Sequence, residues 1–420
     1  MTTDGPRRAS PRRRRHWWYA VGTAALVALA LSTRVLPVLR SDLQGYLGIG
    51  DERFGLLFSA PALSAVAAAL ASGVLLTRWN PVVLIRIALQ LTAVGSGILA
   101  LAGPDWRLFL LGLLVTGAAQ GPLFIASSAY LSRLFPRNRR RVLAMNLAFQ
   151  GGAGILLPAL GEGALWLMRH VDGVGFFEVA HLPFGLLAVA LLVASGQYRM
   201  RGAPRRPRPA DAAPLRRMLS FPAPVLWLIL LMAMHGAVDS TLFVWMPRFL
   251  ESDAFATPLA APGLALSGFG LSYLVSRSLL AFVPDRVGKT LLLVAPGILG
   301  GTVLALTTQA DAAIWAAAGY VGGAFLWSAE LPAFLGALGT RDRARFGIAF
   351  AAAQALTHLL RSGLTAGAGV LAERGGAEWL RGAMTGLALA YIAVGLGGYV
   401  YWMRWGRRDE PAAALQPAAA

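Results

Sequence analysis

Long apolar segments recur along the whole chain and are separated by short polar ones. Each apolar segment exceeds 18 residues and lacks the alternation of polar and apolar positions found in barrel strands. About 20 apolar residues are enough for a helix that crosses a bilayer. The pattern therefore predicts an all-α polytopic membrane protein with twelve transmembrane helices, at residues 17–39, 54–77, 82–102, 107–131, 142–168, 176–196, 223–249, 262–284, 290–309, 312–338, 346–371 and 380–403.

The composition supports this prediction and excludes other classes of protein. Of the 420 residues, 56% are hydrophobic and only 14% are charged, whereas a soluble domain carries about 25% charged residues. A soluble globular enzyme and a disordered protein are therefore excluded. Cysteine is absent, which excludes disulfides, thiolate zinc sites and cysteine nucleophiles.

The net charge of +18 would suit a nucleic-acid-binding protein, but the positions of the basic residues indicate a topology signal. Of the 38 Lys and Arg residues, 28 lie in segments on the side of the two termini and seven lie on the other side. Cytoplasmic loops carry such an excess. We therefore expect a multi-pass protein of the plasma (inner) membrane with both termini in the cytoplasm, and no nucleic-acid partner.

The chain divides into two similar halves. We expect a basic cytoplasmic N-terminus (1–16), a six-helix bundle (17–196), a cytoplasmic linker rich in Pro and Arg (197–222), a second six-helix bundle (223–403) and a cytoplasmic tail (404–420). A shift of 208 residues matches seven of the 31 positions from 55 to 85, and a shift of 204 aligns Gln150 with Gln354. Parallel six-helix repeats are typical of a transporter with its substrate site between the halves, near the bilayer midplane.

The loop after the second helix of each half resembles the signature of the major facilitator superfamily, Gly-x-x-x-Asp-Arg-x-Gly-Arg/Lys. Thr77 replaces the acid in the first half. The resemblance covers about 17–404 and implies twelve helices in two pseudo-symmetric bundles, with gating loops on the cytoplasmic side. The alternative is that both loops are merely basic cytoplasmic loops. The matching positions, and so the predicted gating residues, are Gly73 and Arg78 in the first half and Asp285, Arg286, Gly288 and Lys289 in the second.

Two further resemblances concern subfamilies. In the seventh span, Asp239 lies six residues before Trp245 and is followed by Phe249 and Leu250, which resembles fucose-permease-type sugar/proton symporters. Gly154-x-x-x-Pro158 partly resembles the fifth-helix motif of drug/proton antiporters, but Leu157 replaces its expected Gly. The first resemblance implies proton-coupled symport, and we discount the second.

Two acids inside the spans are candidates for proton coupling, because an ionisable residue in a membrane is costly and usually faces a cavity or a partner. Asp239 can change its protonation when its surroundings alternate between wet and dry. It lies four residues after His235, on the same helix face, so the alternative is a static His–Asp pair that braces the helix. Glu330 is the second candidate; its alternative is to pair with a basic residue at the inner gate.

Three arginines lie inside the spans and are candidates for binding an anionic or polyhydroxylated solute, since a guanidinium stays charged and forms a planar fork. The alternatives pair Arg277 with Glu330 or Arg34 with Asp239, or let Arg34 extend to the membrane surface. The other polar candidates could instead join neighbouring helices. The predicted substrate-binding set is Arg34, Gln120, His235, Arg277, Gln354, His358 and Arg361.

Taken together, these features predict a secondary active transporter that moves a small sugar-like or organic-anion solute by alternating access, coupled to protons. The alternative is a proton-driven exporter of lipophilic compounds; a membrane sensor and a polytopic membrane enzyme are remoter. No metal-binding motif such as His-Glu-x-x-His occurs. We therefore expect no catalytic residues, no metal and no cofactor, with a small solute, protons and the lipid bilayer as partners of a monomer.

Overall fold

The fold is helical. The computed structural model describes residues 11–76, 78–135, 139–197, 220–280, 289–341 and 345–406, and within these ranges its only β-structure is an isolated bridge between Thr257 and Ala312. The predicted gating residues Asp285, Arg286 and Gly288 lie outside the described residues. So do residues 198–219 of the predicted linker and the outermost parts of the two predicted terminal segments.

The described residues of the first half form seven α-helices. A 3₁₀ turn (Ser32–Val35) follows α1, and a π-helical turn (Phe177–His181) precedes α7. The first apolar segment is thus not one helix over 17–39: the α-helix ends at Leu29 and the 3₁₀ turn carries Arg34, shortly before Pro37, which lacks a backbone N–H. The helices are α1 (Pro11–Leu29), α2 (Arg40–Leu47), α3 (Asp51–Leu75), α4 (Pro81–Leu101), α5 (Trp106–Leu134), α6 (Arg139–His170) and α7 (Leu182–Gln197).

The second half contains six α-helices in the described residues. The apolar segment predicted at 312–338 is divided into two helices by Ser328 and Ala329, so that Glu330 begins a new helix rather than lying within one. Lys289, the remaining residue of the second gating motif, begins α10. The helices are α8 (Ala223–Leu250), α9 (Pro262–Leu280), α10 (Lys289–Thr307), α11 (Ala313–Trp327), α12 (Glu330–Arg341) and α13 (Phe346–Trp405).

Helix α13 contains both of the last two predicted crossings. Its 60 residues are interrupted only at Gly376, where φ is 64° and ψ is −149°. Residues with a Cβ are essentially excluded from this backbone region, which glycine adopts freely. The chain therefore reverses at Gly376, between a first arm (346–375) and a second arm (377–405), where the sequence alone predicts a loop of several residues.

The reversal gives a stability prediction. Replacing Gly376 with alanine should lower the melting temperature of the purified protein, because the strained backbone costs about 1–3 kcal/mol. Among the described residues, no atom beyond the local backbone lies within 4 Å of the added Cβ, so the effect is one of backbone conformation alone. Gly382→Ala, in the helical second arm with equal space, is the matched control and should leave the melting temperature unchanged or raise it. Equal melting temperatures would contradict the prediction.

Twelve crossings account for the described helices. Eight helices are long and apolar enough to span a membrane by themselves, counting α11 with α12 as one. The second arm of α13 adds a crossing, α1 and α10 contain shorter apolar helices, and the 19-residue helix α9 lies at the eighth predicted span. The predicted fold class, twelve transmembrane helices in two six-helix bundles, is confirmed.

The two halves meet along two helix pairs. Helix α3 runs along α13, and α6 runs along α9. The backbones approach closely at Gly154 of α6 and Gly270 of α9, where a Cβ on Gly270 would lie 2.3 Å from the Gly154 carbonyl carbon. Small residues allow such contact between membrane helices. We call the side that carries α2, the start of α3 and the reversal at Gly376 the α2 side.

The two described residues of the first gating motif lie on the side opposite to α2. Gly73 is buried against the first arm of α13: a Cβ there would lie 2.6 Å from the Cβ of Ala351. Arg78 is exposed in the turn between α3 and α4. Gly73 thus lies at a contact between the halves, whereas Arg78 lies at the surface.

Candidate functional site

A cavity of about 210 Å³ lies between the two halves. Helices α1, α3, α4, α5 and α6 and the 3₁₀ turn line it from the first half, and α8, α9, α12 and α13 line it from the second. It brings together residues that are far apart in the sequence, such as Arg34 and Arg361, which are 327 positions apart. Seven predicted site residues line this one space: Arg34, Gln120, Asp239, Arg277, Gln354, His358 and Arg361.

Asp239 lies at the cavity surface within a group of aromatic side chains. Its Oδ1 accepts hydrogen bonds from the Tyr391 hydroxyl at 2.9 Å, from Trp327 Nε1 at 3.3 Å and from the Tyr273 hydroxyl. Trp327 stacks on Tyr391 with a centroid distance of 4.2 Å. Three donors from three different helices therefore hold one carboxylate oxygen in place, and none of them is His235.

His235 and Glu330 form a pair of their own. His235 Nδ1 lies 3.0 Å from Glu330 Oε2, and both side chains are at most 1% exposed. Neither residue lines the cavity. The prediction that His235 contacts the solute is therefore not supported by this structure, and the alternatives of a His235–Asp239 brace and an Arg277–Glu330 pair are not formed. The break before α12 is the reason, since it directs the Glu330 carboxylate at α8.

Two of the three cavity arginines are partly engaged by the protein. Arg277 donates to the Leu147 carbonyl at 3.3 Å and to the Ser328 carbonyl at 3.5 Å, and its guanidinium lies 4.1 Å from the Tyr273 ring centroid. Arg34 donates to the Gln150 carbonyl at 3.4 Å. Both guanidinium groups interact electrostatically with Asp239. One carboxylate is thus shared between two cations.

Arg361 is different, because within the described residues no hydrogen bond or ion pair to it is found, and its Nε is buried without a partner. The charged group that acts on Arg361 is Arg34, which comes from the other half of the molecule. The two guanidinium groups repel each other. His358, one helical turn before Arg361, also has an unpartnered Nδ1. A surplus of positive charge inside a membrane protein is costly unless an anion compensates it.

On the α2 side, a carboxylate of the second half caps a helix of the first. Glu373 of α13 accepts hydrogen bonds from the backbone N–H groups of Asp51 at 2.6 Å and Glu52 at 3.2 Å. These N–H groups begin α3, where the helix dipole favours a negative charge. The contact therefore ties the two halves together at this end of the cavity.

The same arrangement occurs in the reverse direction. Glu162 of α6, in the first half, accepts a hydrogen bond at 2.6 Å from the backbone N–H of Gly263, which lies in the first turn of α9 in the second half. In each case an acid on the fifth crossing of one half caps the second crossing of the other half. We call these two contacts, Glu373 on α3 and Glu162 on α9, the carboxylate latches.

A charged cluster stands beside the latches. Asp51 forms an ion pair with Arg40, accepts from Gln44 Nε2 at 3.1 Å, and lies 3.6 Å from Arg248 Nε of the second half. Burial lowers the pKa of the Arg40 guanidinium, and Asp51 opposes that shift. Burial raises the pKa of Glu251, just after α8, and Arg40 opposes the shift there as well. The cluster thus adds a second set of contacts between the halves on the α2 side.

A model of the Major Facilitator Superfamily matches residues 21–362 of the sequence. This chain belongs to the major facilitator superfamily. The family predicted from the loop motif is therefore confirmed. No curated protein matches the sequence.

Several solved structures of superfamily transporters share the fold. The Escherichia coli fucose:proton symporter FucP matches with a TM-score of 0.70 and 14% identity, over 92% of this chain and 99% of that one. The human organic anion transporter MFSD10 matches with a TM-score of 0.69 and 16% identity, over 93% of this chain and 100% of that one. A bacterial homologue of the human lysosomal transporter Spinster, in an inward-facing and unoccupied conformation, matches with a TM-score of 0.64 and 16% identity, over 95% of this chain and 99% of that one. At these identities the likeness establishes the fold of this superfamily member and nothing finer.

Sequence reasoning missed some residues at the site. Tyr273, Trp327 and Tyr391 surround Asp239, but nothing in the sequence separates them from other aromatic residues of apolar helices. The latch residues carried a usable signal: Glu373 follows Glu162 by 211 positions, close to the shifts of 204 and 208 that relate the two halves. An acid repeated at that spacing in both halves is a pattern that a search for internal repeats can find.

Proposed function

We propose that this superfamily member is a secondary active transporter that imports a small organic anion by alternating access, with coupling to protons. The observation that carries the proposal is the cavity between the halves, which holds three guanidinium groups and a single carboxylate. Arg361 faces this space from the second half without an acid partner in the described residues, and Arg34 faces it from the first half and shares Asp239 with Arg277. A bound anion would compensate both charges and join the halves around the solute.

Other solutes fit this cavity less well. A neutral sugar could accept hydrogen bonds from the arginines, and the likeness to a fucose:proton symporter keeps a sugar-like solute as the alternative. A neutral sugar would leave the surplus of positive charge in the cavity uncompensated. An exported lipophilic compound would leave both the arginines and the amides of Gln120 and Gln354 without partners, which is costly in a buried site. The likeness to an organic anion transporter agrees with the first choice.

Asp239 is our candidate for the proton-coupling group. It lines the cavity together with Arg34 and Arg277, so its charge can respond to the solute. Protonating it would remove the negative charge that these arginines share and strengthen their attraction for an anion. Solute and proton would then bind together, as symport requires. Glu330 remains the second candidate, in a buried pair with His235 that is separated from the cavity.

For the transport cycle we propose that the α2 side faces the exterior and that both termini and the 197–222 linker lie in the cytoplasm, as the distribution of Lys and Arg favours. Opening to the outside would require the carboxylate latches and the Asp51–Arg248 contact to separate. Opening to the inside would require α3 to leave α13 near Gly73. The gating loops around Arg78 and Lys289 would act at that inner end.

Asp239→Asn tests the coupling. Benzoate, a small organic anion, is a suitable probe. In proteoliposomes the variant should lose accumulation of benzoate driven by a pH gradient, beyond the passive accumulation in protein-free liposomes, yet keep benzoate exchange between equal pools, because only the proton site is removed. Glu330→Gln is the matched comparison and should retain accumulation. Accumulation retained by Asp239→Asn and lost by Glu330→Gln would move the coupling role to Glu330. If neither substitution affects accumulation, the proposal of proton coupling through these acids is wrong.

A further inference from the structure

The first half presents an apolar wall to the cavity. Its side chains come from α1, α3 and α5 and from the turn after α1, which carries Leu31. Bulky hydrocarbon and aromatic groups face the space here, and several are wholly buried apart from that contact. The wall comprises Val27, Leu31, Leu57, Phe58, Leu123 and Phe124.

The few polar cavity residues on and beside this wall, on α4 and α5, are largely engaged by their own helices. Thr92 Oγ1 donates to the Ala88 carbonyl at 2.9 Å, and Thr116 Oγ1 donates to the Leu113 carbonyl at 2.9 Å. Of the cavity residues on α3, α4 and α5, Gln120 alone adds a polar side chain beyond these two. A hydroxyl-rich solute would therefore meet few partners there, and each unpaired polar group would cost free energy.

The cationic groups lie elsewhere in the same cavity. Arg277 and Arg361 come from the second half, and Arg34 comes from the turn after α1. His358 and Gln354 line the space beside Arg361 on the same helix. The cavity therefore has a cationic part and an apolar part, and a solute that matches only one of them leaves the other unsatisfied.

We infer that the solute is an amphipathic organic anion, with one carboxylate-type group held between Arg34 and Arg361 and an apolar ring or short chain against α3 and α5. The inference rests on the proposed function and names the solute class for that same site. Size agrees with it: an apolar cavity of about 150 Å³ accepts benzene, so about 210 Å³ leaves room for one ring and a carboxylate. Benzoate is the simplest probe of this class.

Three probes separate the two parts of the site. Benzoate carries both groups, acetate carries the anion alone, and benzamide carries the ring alone. Binding to the full-length protein in detergent, measured by calorimetry, should be roughly tenfold or more tighter for benzoate than for either other probe, because only benzoate buries its ring and also pairs its charge. Transport of these probes by proteoliposomes, measured in parallel, tests the proposed function separately.

The outcomes distinguish the inference from the function on which it rests. If acetate binds as tightly as benzoate and is transported, the anion transporter stands and the apolar part of the inference is wrong. If benzamide binds as tightly as benzoate, the cationic part is wrong. If benzamide binds and neither anion binds or is transported, both the inference and the proposed function are overturned.

Two substitutions in the apolar part of the cavity give a second test. Ala62 lines the cavity on α3, and Ala62→Leu should weaken benzoate binding about tenfold or more while acetate binding changes little, because the added carbons fill the ring's space. Ala67→Leu, on an exposed face of the same helix, is the control. Phe124→Ala should act in the opposite direction and favour an acid with a larger ring, such as naphthoate. Equal losses for benzoate and acetate in Ala62→Leu, with no gain for naphthoate in Phe124→Ala, would overturn the inference.

Discussion

Arg361→Gln should weaken benzoate binding by at least about thirtyfold and abolish benzoate transport. Removing one partner of a desolvated charge pair costs roughly 2–5 kcal/mol, and every 1.4 kcal/mol is a factor of ten. The effect is expected to be this large because Arg361 has no protein partner within the described residues and faces Arg34 across the cavity. Titration calorimetry on the purified variant measures the loss directly.

A second measurement separates binding from a structural role. Because Arg361 is repelled by Arg34 in the empty protein, its removal should leave the melting temperature of the ligand-free protein unchanged or raise it. Arg361→Lys keeps the charge but loses the planar fork, so it should recover only part of the affinity. Arg374→Gln, at an exposed position of the same helix, is the control and should behave like the unmodified protein. A lower melting temperature for Arg361→Gln, with equal losses for benzoate and benzamide, would mean that Arg361 is structural.

Removing both carboxylate latches should shift the protein towards the conformation that is open on the α2 side. Each latch joins a carboxylate to the backbone N–H groups of a helix start in the other half, and a hydrogen bond to a charged group contributes about 1.5–3 kcal/mol. The latches join the halves only while this side is closed, and together they contribute about 3–6 kcal/mol if their hydrogen bonds are additive. Glu162→Ala with Glu373→Ala should therefore raise the ratio of open to closed molecules about a hundredfold or more, since every 1.4 kcal/mol is a factor of ten.

The absence of native cysteine makes this shift measurable. A single cysteine at Ala30, which is buried and lines the cavity, should react faster with a membrane-impermeant maleimide added outside intact cells when both latches are removed. Each single substitution should give a smaller increase. Glu378→Ala, an exposed acid near Glu373 on α13, is the matched control and should leave the rate unchanged. An unchanged rate in the double variant would show that the latches do not hold this side closed.

Much of the fold is predictable from the sequence because a bilayer imposes simple rules. Backbone polar groups in hydrocarbon must be paired within a helix, so an apolar stretch such as 223–249 could be assigned as a helix, and α8 spans Ala223–Leu250. The predicted helix boundaries are wrong where the local backbone geometry determines them. The chain reverses its direction at a single glycine, Gly376. The break at Ser328 and Ala329 divides an apolar run that the hydropathy pattern predicts as one helix.

At the site, too, the sequence identifies some features and not others: it identifies the charged residues but not their partners. Charge inside a span identified Arg34, Asp239, Arg277 and Arg361, because a charge at that depth needs a cavity or a partner. Helical spacing left a static His235–Asp239 pair as an alternative to proton coupling, but His235 pairs with Glu330 instead. Residues four positions apart share a helix face, but the partner of each is chosen by whatever another helix places opposite it.

The sequence by itself determined the family, the number of crossings and the set of charged groups in the membrane, since these follow from hydropathy, motif and composition. Only the tertiary structure decided which charges are compensated: Asp239 by three aromatic donors, Glu330 by His235, and Arg361 by no group of the described chain. The physical reason is that a Coulomb energy or a hydrogen bond depends on distances between side chains of different helices. Spacing along one helix carries no information about those distances.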